Sequence, residues 1–302
     1  MVEALTPRIS WEYPNRQGIG CNTISKQDTP NFLSLLKELR AHPIGEKLIL
    51  TAAVPITPWL DPTDQPSDIA PFAKLLDYIA IMNYDLWGSW SQGVGPNAPL
   101  NDTCASSQYQ QGSAVSAVQA WTSAGLPKNQ LVLGVGSYGH SFLVNRSVAL
   151  TEQGEITAYP PFEPEQPKGD SSDDGPGTDV CGAQTGWGGV FNFWGLVEEK
   201  FLDGNGQPLQ GIRYRYDECS QTVRSGHGPP LTNGETDGWY VFYQPYVYNA
   251  TSQVMVSFDN AKSFKTKGEF IKSYGLGGYA MWEAAADYKD ILIDSIREGG
   301  GY

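Results

Sequence analysis

The chain has 302 residues, of which 40% are hydrophobic and 18% are charged, so it is long and apolar enough to form a globular core. Its net charge of −13 argues against binding a nucleic-acid backbone, which requires clustered lysines and arginines. No apolar run approaches the ~20 residues of a membrane span, and residues 1–7 lack the features of a signal peptide.

Strands and helices alternate along most of the sequence. A first strand ends near Glu12, and the apolar runs predict buried strands at 47–55, 78–84, 130–138 and 276–282. Helical periodicity predicts helices at 29–41, 68–76, 113–124, 259–274 and 288–297. In the helix 259–274 we expect Ala261, Phe264 and Phe270 to face inward and Lys262, Lys265, Lys267 and Lys272 to face outward. This alternation indicates five right-handed parallel βαβ units.

The pattern changes after residue 142. Gly, Pro and Asp crowd residues 154–188, and a single amphipathic helix is recognisable at 192–201. Two segments with alternating side chains, 239–248 and 253–258, predict a pair of strands. We interpret this region as an inserted subdomain.

The stretch 9–15 (Ile-Ser-Trp-Glu-Tyr-Pro-Asn) ends a predicted strand with a carboxylate, Glu12, and a proline, Pro14. Barrel enzymes keep their catalytic groups at such strand ends. The stretch resembles the tail of the signature strand of family 18 glycoside hydrolases, the chitinases, which reads Asp-Gly-x-Asp-x-Asp-x-Glu and commonly continues Tyr-Pro. Counting back from Glu12, the positions of the aspartates hold Ser10, Arg8 and Leu5, and Thr6 replaces the glycine.

Five further segments resemble, in the same order, later strands of fungal class V chitinases. They are 51–55, 82–85 (Met-Asn-Tyr-Asp), 138–140 (Tyr-Gly-His), 256–259 and 277–283. Because the catalytic glutamate lies on the fourth strand of that family, the resemblance implies an α/β fold: a partial TIM-type (β/α) barrel of units 4–8, truncated at its N-terminus, with an α+β insertion between the seventh and eighth strands. The expected segments are 1–142 for units four to seven, 143–250 for the insertion and 251–302 for the last barrel helix, strand eight and the C-terminal helix.

The resemblance also implies roles for individual residues. Glu12 would be the general acid of a substrate-assisted, retaining mechanism. Tyr84 would hold the acetamido oxygen of the sugar, and Asp85 would contact a sugar hydroxyl. The predicted substrate contacts are Trp11, Met82, Trp87, Tyr138 and Trp282, with Trp59 and Trp90 as further aromatic platforms. No metal or other cofactor is expected.

The lost aspartate at position 10 bears on activity. Ser10 is neutral and short, and losing one preorganised electrostatic partner costs roughly 10²–10³ in rate. The leading interpretation is a catalytically impaired chitinase-like protein that binds chitin or chitooligosaccharides, as a secreted effector that hides chitin fragments from a host. The alternatives are an active endochitinase and a fragment that does not fold. An unclosed sheet would also leave strand edges open to self-association.

Simpler roles stay open for several of these residues. Glu12 would then be an ordinary rim carboxylate, Trp282 a packing residue, Asp85 a turn residue and His140 a hydrogen-bonded histidine. Four cysteines allow three pairings, of which we predict Cys21–Cys104 with Cys181–Cys219. Three Asn-x-Ser/Thr sequons, at Asn101, Asn145 and Asn249, favour a secreted glycoprotein. Since no signal peptide opens the sequence, we expect the native N-terminus to be absent or altered here.

Overall fold

The computed structural model describes residues 8–9, 11–18, 20–219 and 242–302. The strands are β1 (Arg8–Ile9), β2 (Thr51–Val54), β3 (Tyr78–Ile81), β4 (Leu131–Gly136), β5 (Tyr138–Leu143), β6 (Gly177–Thr178), β7 (Gln184–Thr185), β8 (Val190–Asn192), β9 (Arg213–Cys219), β10 (Phe242–Asn249), β11 (Val254–Ser257) and β12 (Gly278–Trp282). The helices are α1 (Asp28–Ala41), α2 (Ala70–Ala73), α3 (Ala114–Ser123), α4 (Arg146–Ala149), α5 (Phe193–Glu198), α6 (Ala261–Tyr274) and α7 (Ile291–Gly300).

The first sheet is parallel throughout and carries the candidate site. Its strand order is β1–β2–β3–β4–β12, and each neighbouring pair runs in the same direction. The four predicted strands from 47–55 to 276–282 each contain one strand of this sheet. The predicted fold class, a barrel-type (β/α) arrangement with an insertion, is therefore confirmed. Within the described residues β1 and β12 are the outer strands, and self-association at their edges stays a prediction.

The second sheet is antiparallel, with the order β8–β5–β11–β10–β9. The predicted pairing of segments 239–248 and 253–258 is confirmed as β10 against β11, in which Tyr246 lies opposite Ser257. The sheet takes strands from all three predicted segments of the chain, since β5 precedes the insertion and β11 follows it. A small hairpin, β6–β7, forms a separate two-stranded sheet within the insertion.

The predicted strand 130–138 is split between the two sheets. It leaves the parallel sheet at Gly136, and Tyr138 is already the first residue of β5. The residue between them, Ser137, donates its N–H to the carbonyl of Trp282 (3.0 Å) and accepts from the N–H of Phe193 (2.9 Å). Because these hydrogen bonds bind Ser137 to two different elements, the chain passes from one sheet to the other at this residue.

Aromatic rings fill the core between the parallel sheet and its helices. Phe32 on α1 packs edge-on against Trp59 at a centroid distance of 5.3 Å, and Trp59 packs edge-on against Trp121 of α3 at 5.4 Å. The indole N–H of Trp121 donates to the carbonyl of Pro55 (3.0 Å). These contacts fix the loop that follows β2 onto the helices.

The predicted disulfide pairings are wrong. Cys104 is disulfide-bonded, but Cys21 and Cys181 are free and exposed, which excludes both Cys21–Cys104 and Cys181–Cys219. The physical reason is that the loop containing Cys21 packs against the turn containing Cys181, with the Cys21 sulfur 3.9 Å from the carbonyl oxygen of Val180. Spacing along the sequence does not reveal this contact.

The prediction that Lys267 faces outward is also wrong. Its side chain is 1% exposed and its Nζ lies 2.6 Å from Oδ2 of the equally buried Asp259. Burial lowers the pKa of Lys267, while the charge of Asp259 opposes that shift. Asp259 Oδ1 has no hydrogen-bond partner in the part of the chain that the structure describes. This pair joins α6 to the end of β11, which sits at the edge of the candidate site.

We expect Lys267→Met to destabilise the protein strongly, because it leaves the Asp259 carboxylate buried without a cation. Removing one partner of such a pair costs about 3–5 kcal/mol, which urea or thermal denaturation measures as a lower free energy of unfolding. Lys265→Met is the matched control, since Lys265 lies on the same helix but pairs with Glu298 at the surface. Breaking this exposed pair costs at most about 1 kcal/mol. Equal losses in the two variants would contradict the role of the buried pair.

Candidate active site

Asp85 occupies the loop immediately after β3, at the C-terminal edge of the parallel sheet. Its backbone is left-handed, with φ of 57°, a conformation that aspartate tolerates better than most residues. Its N–H donates to the side-chain oxygen of Asn97 (3.0 Å). The amide nitrogen of Asn97 donates in turn to the carbonyl of Tyr138 (3.1 Å), and its backbone N–H donates to Ser257 Oγ (3.0 Å). Asn97 is fully buried and so ties the Asp85 loop to the second sheet.

One oxygen of the Asp85 carboxylate is held by two side chains of β5. The Tyr138 hydroxyl donates to Asp85 Oδ1 at 2.6 Å, and His140 Nε2 lies 2.7 Å from the same oxygen. His140 is largely buried, whereas the Asp85 side chain is 46% exposed. The protein therefore fixes the carboxylate on one side and leaves it open to solvent on the other. His140 is thus a hydrogen-bonded histidine, in line with the simpler role expected for it.

Tyr84 and Tyr138 stay neutral, and Tyr138 donates its hydroxyl proton to Asp85. Their rings meet edge-on at a centroid distance of 6.2 Å. Burial raises the pKa of Tyr138 far above its usual value, and the charge of Asp85 and its hydrogen bond raise it further. Burial also raises the pKa of Tyr84, with smaller contributions from Asp85 and Glu12. Both phenols consequently keep their protons at any physiological pH.

Two glycines of β4 make room for Tyr84. A Cβ added at Gly134 would lie 3.0 Å from Cε1 of the Tyr84 ring and 2.2 Å from the carbonyl oxygen of Ile81. A Cβ at Gly136 would lie 3.3 Å from both Tyr84 Cβ and Tyr138 Cε1. These glycines were not among the predicted site residues, although glycines two residues apart share one face of a strand and mark a close approach there.

Glu12 lies beside an open cleft of about 380 Å³. The residues that line it are Trp11, Glu12, Tyr13, Arg16, Gly18, Asn22, Thr23 and Asp28. The backbone carbonyl of Glu12 accepts a hydrogen bond from Trp59 Nε1 (3.3 Å), and partial burial raises the pKa of its carboxyl group. A raised pKa suits a general acid, which must hold a proton before it donates it.

The charges of Glu12 and Asp85 act on the same phenols. Both raise the pKa of Tyr13, after burial, and both raise that of Tyr84. Glu12 and Asp85 are therefore both close enough to Tyr13 and Tyr84, beyond the ends of β1 and β3, for their charges to act on these phenols. Tyr13 was not among the predicted site residues. The replaced signature positions Leu5, Thr6 and Ser10 lie outside the described residues, as does the side chain of Arg8.

Trp282 presents an open aromatic face next to this group. It ends β12, is 60% exposed, and pairs in register with Gly136, the residue that touches Tyr84 and Tyr138. Ser137 holds the turn after it by donating its N–H to the Trp282 carbonyl and its hydroxyl to the Glu283 carbonyl (2.5 Å). Trp11 is also partly exposed and packs edge-on against Phe32 at 5.6 Å.

Two predicted aromatic platforms are not at the surface. Trp87 is 2% exposed, and its ring packs against the stacked pair Tyr109 (6.2 Å) and Tyr159 (5.5 Å). Trp59 is 1% exposed and belongs to the core. Neither indole is open to a sugar, because residues of α1, α2 and α3 pack around Trp59, and Tyr109 and Tyr159 pack against Trp87.

The remaining predicted residues lie at the site's border. Met82 is half-buried, and its N–H donates to the carbonyl of Val54 (2.8 Å) at the end of β2. Trp90 is well exposed and stands edge-on to His140 at 5.5 Å. The described residues contain no group of three or more His, Cys, Asp and Glu side chains able to hold a metal ion. None of the described helices is long and apolar enough to cross a membrane.

We expect Glu12→Gln to stabilise the protein at neutral pH but not in acid. Because burial raises the pKa of Glu12 in the folded state, ionising this carboxyl group destabilises the fold once the pH exceeds the ordinary glutamate value. The free energy of unfolding, from urea titrations, should rise in the variant at about pH 7 and stay unchanged at about pH 3.5. Glu38→Gln, on the exposed face of α1, is the control and should change little at either pH. A neutral effect of Glu12→Gln at pH 7 would contradict the buried setting of Glu12.

Comparison with known proteins gives close relatives. Two curated proteins named chitinase-like effector, from Moniliophthora perniciosa and Moniliophthora roreri, are 48% and 47% identical to this chain over 97% of its length. The matches cover 62% and 67% of those relatives, so the chain spans about two thirds of their length.

Solved structures share the fold. The crystal structure of a chitinase from Rhizomucor miehei matches with a TM-score of 0.79 and 31% identity, over 97% of this chain and 72% of that one. A chitinase from Cycas revoluta, solved in complex with (GlcNAc)3, matches with a TM-score of 0.63 and 23% identity, over 97% and 67% of the two chains. Residues 8–287 match the profile of the glycosyl hydrolases family 18. The chain is therefore a chitinase-like member of glycosyl hydrolases family 18.

Proposed function

We propose that this protein binds chitin or chitooligosaccharides at the edge of the parallel sheet, between Glu12, Asp85 and Trp282, and that it cleaves them weakly or not at all. The observation that carries the proposal is the exposed indole of Trp282 in register with Gly136, next to a carboxylate and two phenols that the fold holds in place. A flat apolar surface beside fixed polar groups is the arrangement that binds a pyranose ring, which has an apolar face and a polar rim.

The proposed contacts follow from the chemistry of each group. The face of Trp282 stacks on the apolar face of one N-acetylglucosamine ring. Tyr84, which stays protonated, donates a hydrogen bond to the acetamido oxygen. The exposed side of the Asp85 carboxylate accepts a hydrogen bond from a sugar hydroxyl, while Tyr138 and His140 prevent it from turning away.

Cleavage is proposed to be impaired because of the residue at position 10. In the substrate-assisted route a carboxylate two residues before the acid stabilises positive charge as the acetamido oxygen attacks the anomeric carbon. Here that position holds Ser10, which supplies no charge. The loss of one such partner lowers the rate by roughly 10²–10³ even where the acid, Glu12, is in place.

A role outside the cell is part of the proposal. The two Moniliophthora relatives are named chitinase-like effector, and the three sequons fit a secreted glycoprotein. Asn145 is exposed and its side-chain oxygen accepts from the N–H and hydroxyl of Ser147, so the sequon is presented at the surface. Binding without cleavage would withhold chitin fragments from a host that detects them.

We expect Trp282→Ala to weaken chitooligosaccharide binding about tenfold or more, because it removes the stacking surface. Calorimetric titration with chitohexaose measures the change in Kd. Tyr78→Ala is the matched control: Tyr78 is also exposed, but it starts β3 at the opposite end of the sheet, and its loss should leave Kd unchanged. The parent protein, but not Trp282→Ala, should suppress the response of host cells to chitin fragments. Equal affinities of the three proteins would refute the site.

An active retaining endochitinase is the second candidate, and the raised pKa of Glu12 favours it, since a general acid needs this property. The two candidates differ in product release. Under the leading proposal, colloidal chitin incubated with the protein yields no soluble oligosaccharide above the level of Glu12→Gln. Release by the parent that disappears in Glu12→Gln, with binding retained, would establish the second candidate instead.

A further inference from the structure

Two free thiols from distant parts of the chain meet at the border of the Glu12 cleft. Cys21 lies in the loop that follows Glu12, and Cys181 lies in the turn of the β6–β7 hairpin. Cys21 and Val180, the neighbour of Cys181, are 159 positions apart in the sequence. Both cysteines are exposed, so they are accessible to soluble oxidants.

The separation of the two cysteines is within the reach of a disulfide. Cys21 Sγ lies 3.9 Å from the carbonyl oxygen of Val180, and the Cα of the next residue, Cys181, is within ~3 Å of that oxygen by covalent geometry. The two thiols also form a hydrogen bond, which raises the pKa of Cys181. Disulfides join cysteines whose Cα atoms are about 4.4–6.8 Å apart, and two thiols that are already in contact are candidates for such a bond.

The turn that carries Cys181 is itself well defined. The Asp179 carboxylate accepts from the N–H groups of Cys181 (2.9 Å) and Ala183 (2.8 Å). Gly182, with φ of 84°, donates its N–H to the Asp179 carbonyl (3.0 Å). On the other side, the Gln17 side chain donates to the carbonyl of Gly20 and so shapes the loop before Cys21. Both thiols are thus presented by ordered turns.

We propose that Cys21 and Cys181 form a disulfide that joins the insertion hairpin to the loop bordering the Glu12 cleft. Glutathione disulfide is the oxidant in a secretory compartment. One cysteine thiolate attacks a sulfur of glutathione disulfide and releases one glutathione, and the second thiolate then attacks the mixed disulfide and releases the other. Two cysteines lose two electrons and two protons, and one glutathione disulfide becomes two molecules of glutathione.

The bond would fix one wall of the cleft. Gly18, Asn22 and Thr23, on both sides of Cys21, line the cleft together with Glu12. The described part of this loop meets the hairpin at Cys21 and at Gly20, where an added Cβ would lie 3.5 Å from a methyl group of Val180. A covalent link across such a long segment lowers the entropy of the unfolded chain more than a short one does.

The test incubates the purified chain with a mixture of glutathione and glutathione disulfide at the poise of the secretory pathway, followed by alkylation and mass spectrometry. Unoxidised protein should offer two alkylatable thiols, and oxidised protein none, with the loss of two hydrogens and a digest fragment containing Cys21 linked to Cys181. The oxidised form should melt roughly 5 °C or more above Cys21→Ser/Cys181→Ser in the same buffer.

Single variants provide the controls and the contrary outcome. In Cys21→Ser, Cys181 lacks its partner and should instead retain one glutathione, and Cys181→Ser should behave likewise at Cys21. Three results with the parent protein would overturn the proposal. They are two thiols that remain alkylatable, glutathione bound to each of the two cysteines, or disulfides formed only between two chains. The number of alkylatable thiols does not depend on sugar binding. The disulfide proposal is therefore tested independently of the proposed function.

Discussion

The passage of the chain through Ser137 is the constraint on which the site depends. This single buried residue separates the last strand of the parallel sheet that precedes the insertion from the first strand of the antiparallel sheet. Its N–H donates to the last residue of β12, its hydroxyl donates to the next residue, Glu283, and its carbonyl accepts from the start of α5. Because Ser137 is fixed in three directions, the next residues of β5 project back over the end of β3, where Tyr138 and His140 meet Asp85.

The site is therefore assembled from both sheets. The parallel sheet supplies Glu12, Tyr84, Asp85 and Trp282 from the ends of β1, β3 and β12, as barrel folds commonly do. The antiparallel sheet supplies the groups that hold Asp85, and Asn97 connects the two through hydrogen bonds to Asp85, Tyr138 and Ser257. The antiparallel sheet, whose strands β5 and β11 flank the insertion, thus forms the second half of the site's framework.

The sequence predicted the parts of this structure that depend on local pattern. Strands buried on both faces appear in the sequence as continuous apolar runs, and these runs located β2, β3, β4 and β12. The motifs around residues 12, 84 and 282 predicted three strand ends, which the fold brings to one edge of the parallel sheet. The features that the sequence did not predict depend on contacts with specific partner residues. The chain changes sheet before Tyr138 because Ser137 forms hydrogen bonds with residues 56 or more positions away. Lys267 is buried because it forms an ion pair with the buried Asp259.

Burial of aromatic residues was the least predictable feature. A tryptophan that follows a strand can be an exposed sugar platform or can be buried among loops, and the sequence does not distinguish the two. Trp87 is buried because distant segments bring Tyr109 and Tyr159 against it, whereas Trp282 remains exposed. The cysteine pairings failed for a similar reason, since four thiols without a structure specify no neighbours.

The hydrogen bonds of Ser137 have a mechanical consequence. Since β5 leaves Ser137 on one side and the backbone of Trp282 and Glu283 is bound to it on the other, the positions of Tyr138, His140 and Trp282 are coupled. A substitution that moves Ser137 would disturb both the hold on Asp85 and the placement of the exposed indole. Strand β10 takes part as well, since the Gln244 side chain accepts from the N–H of Ala98, the neighbour of Asn97, and donates to the carbonyl of Phe258 (3.0 Å).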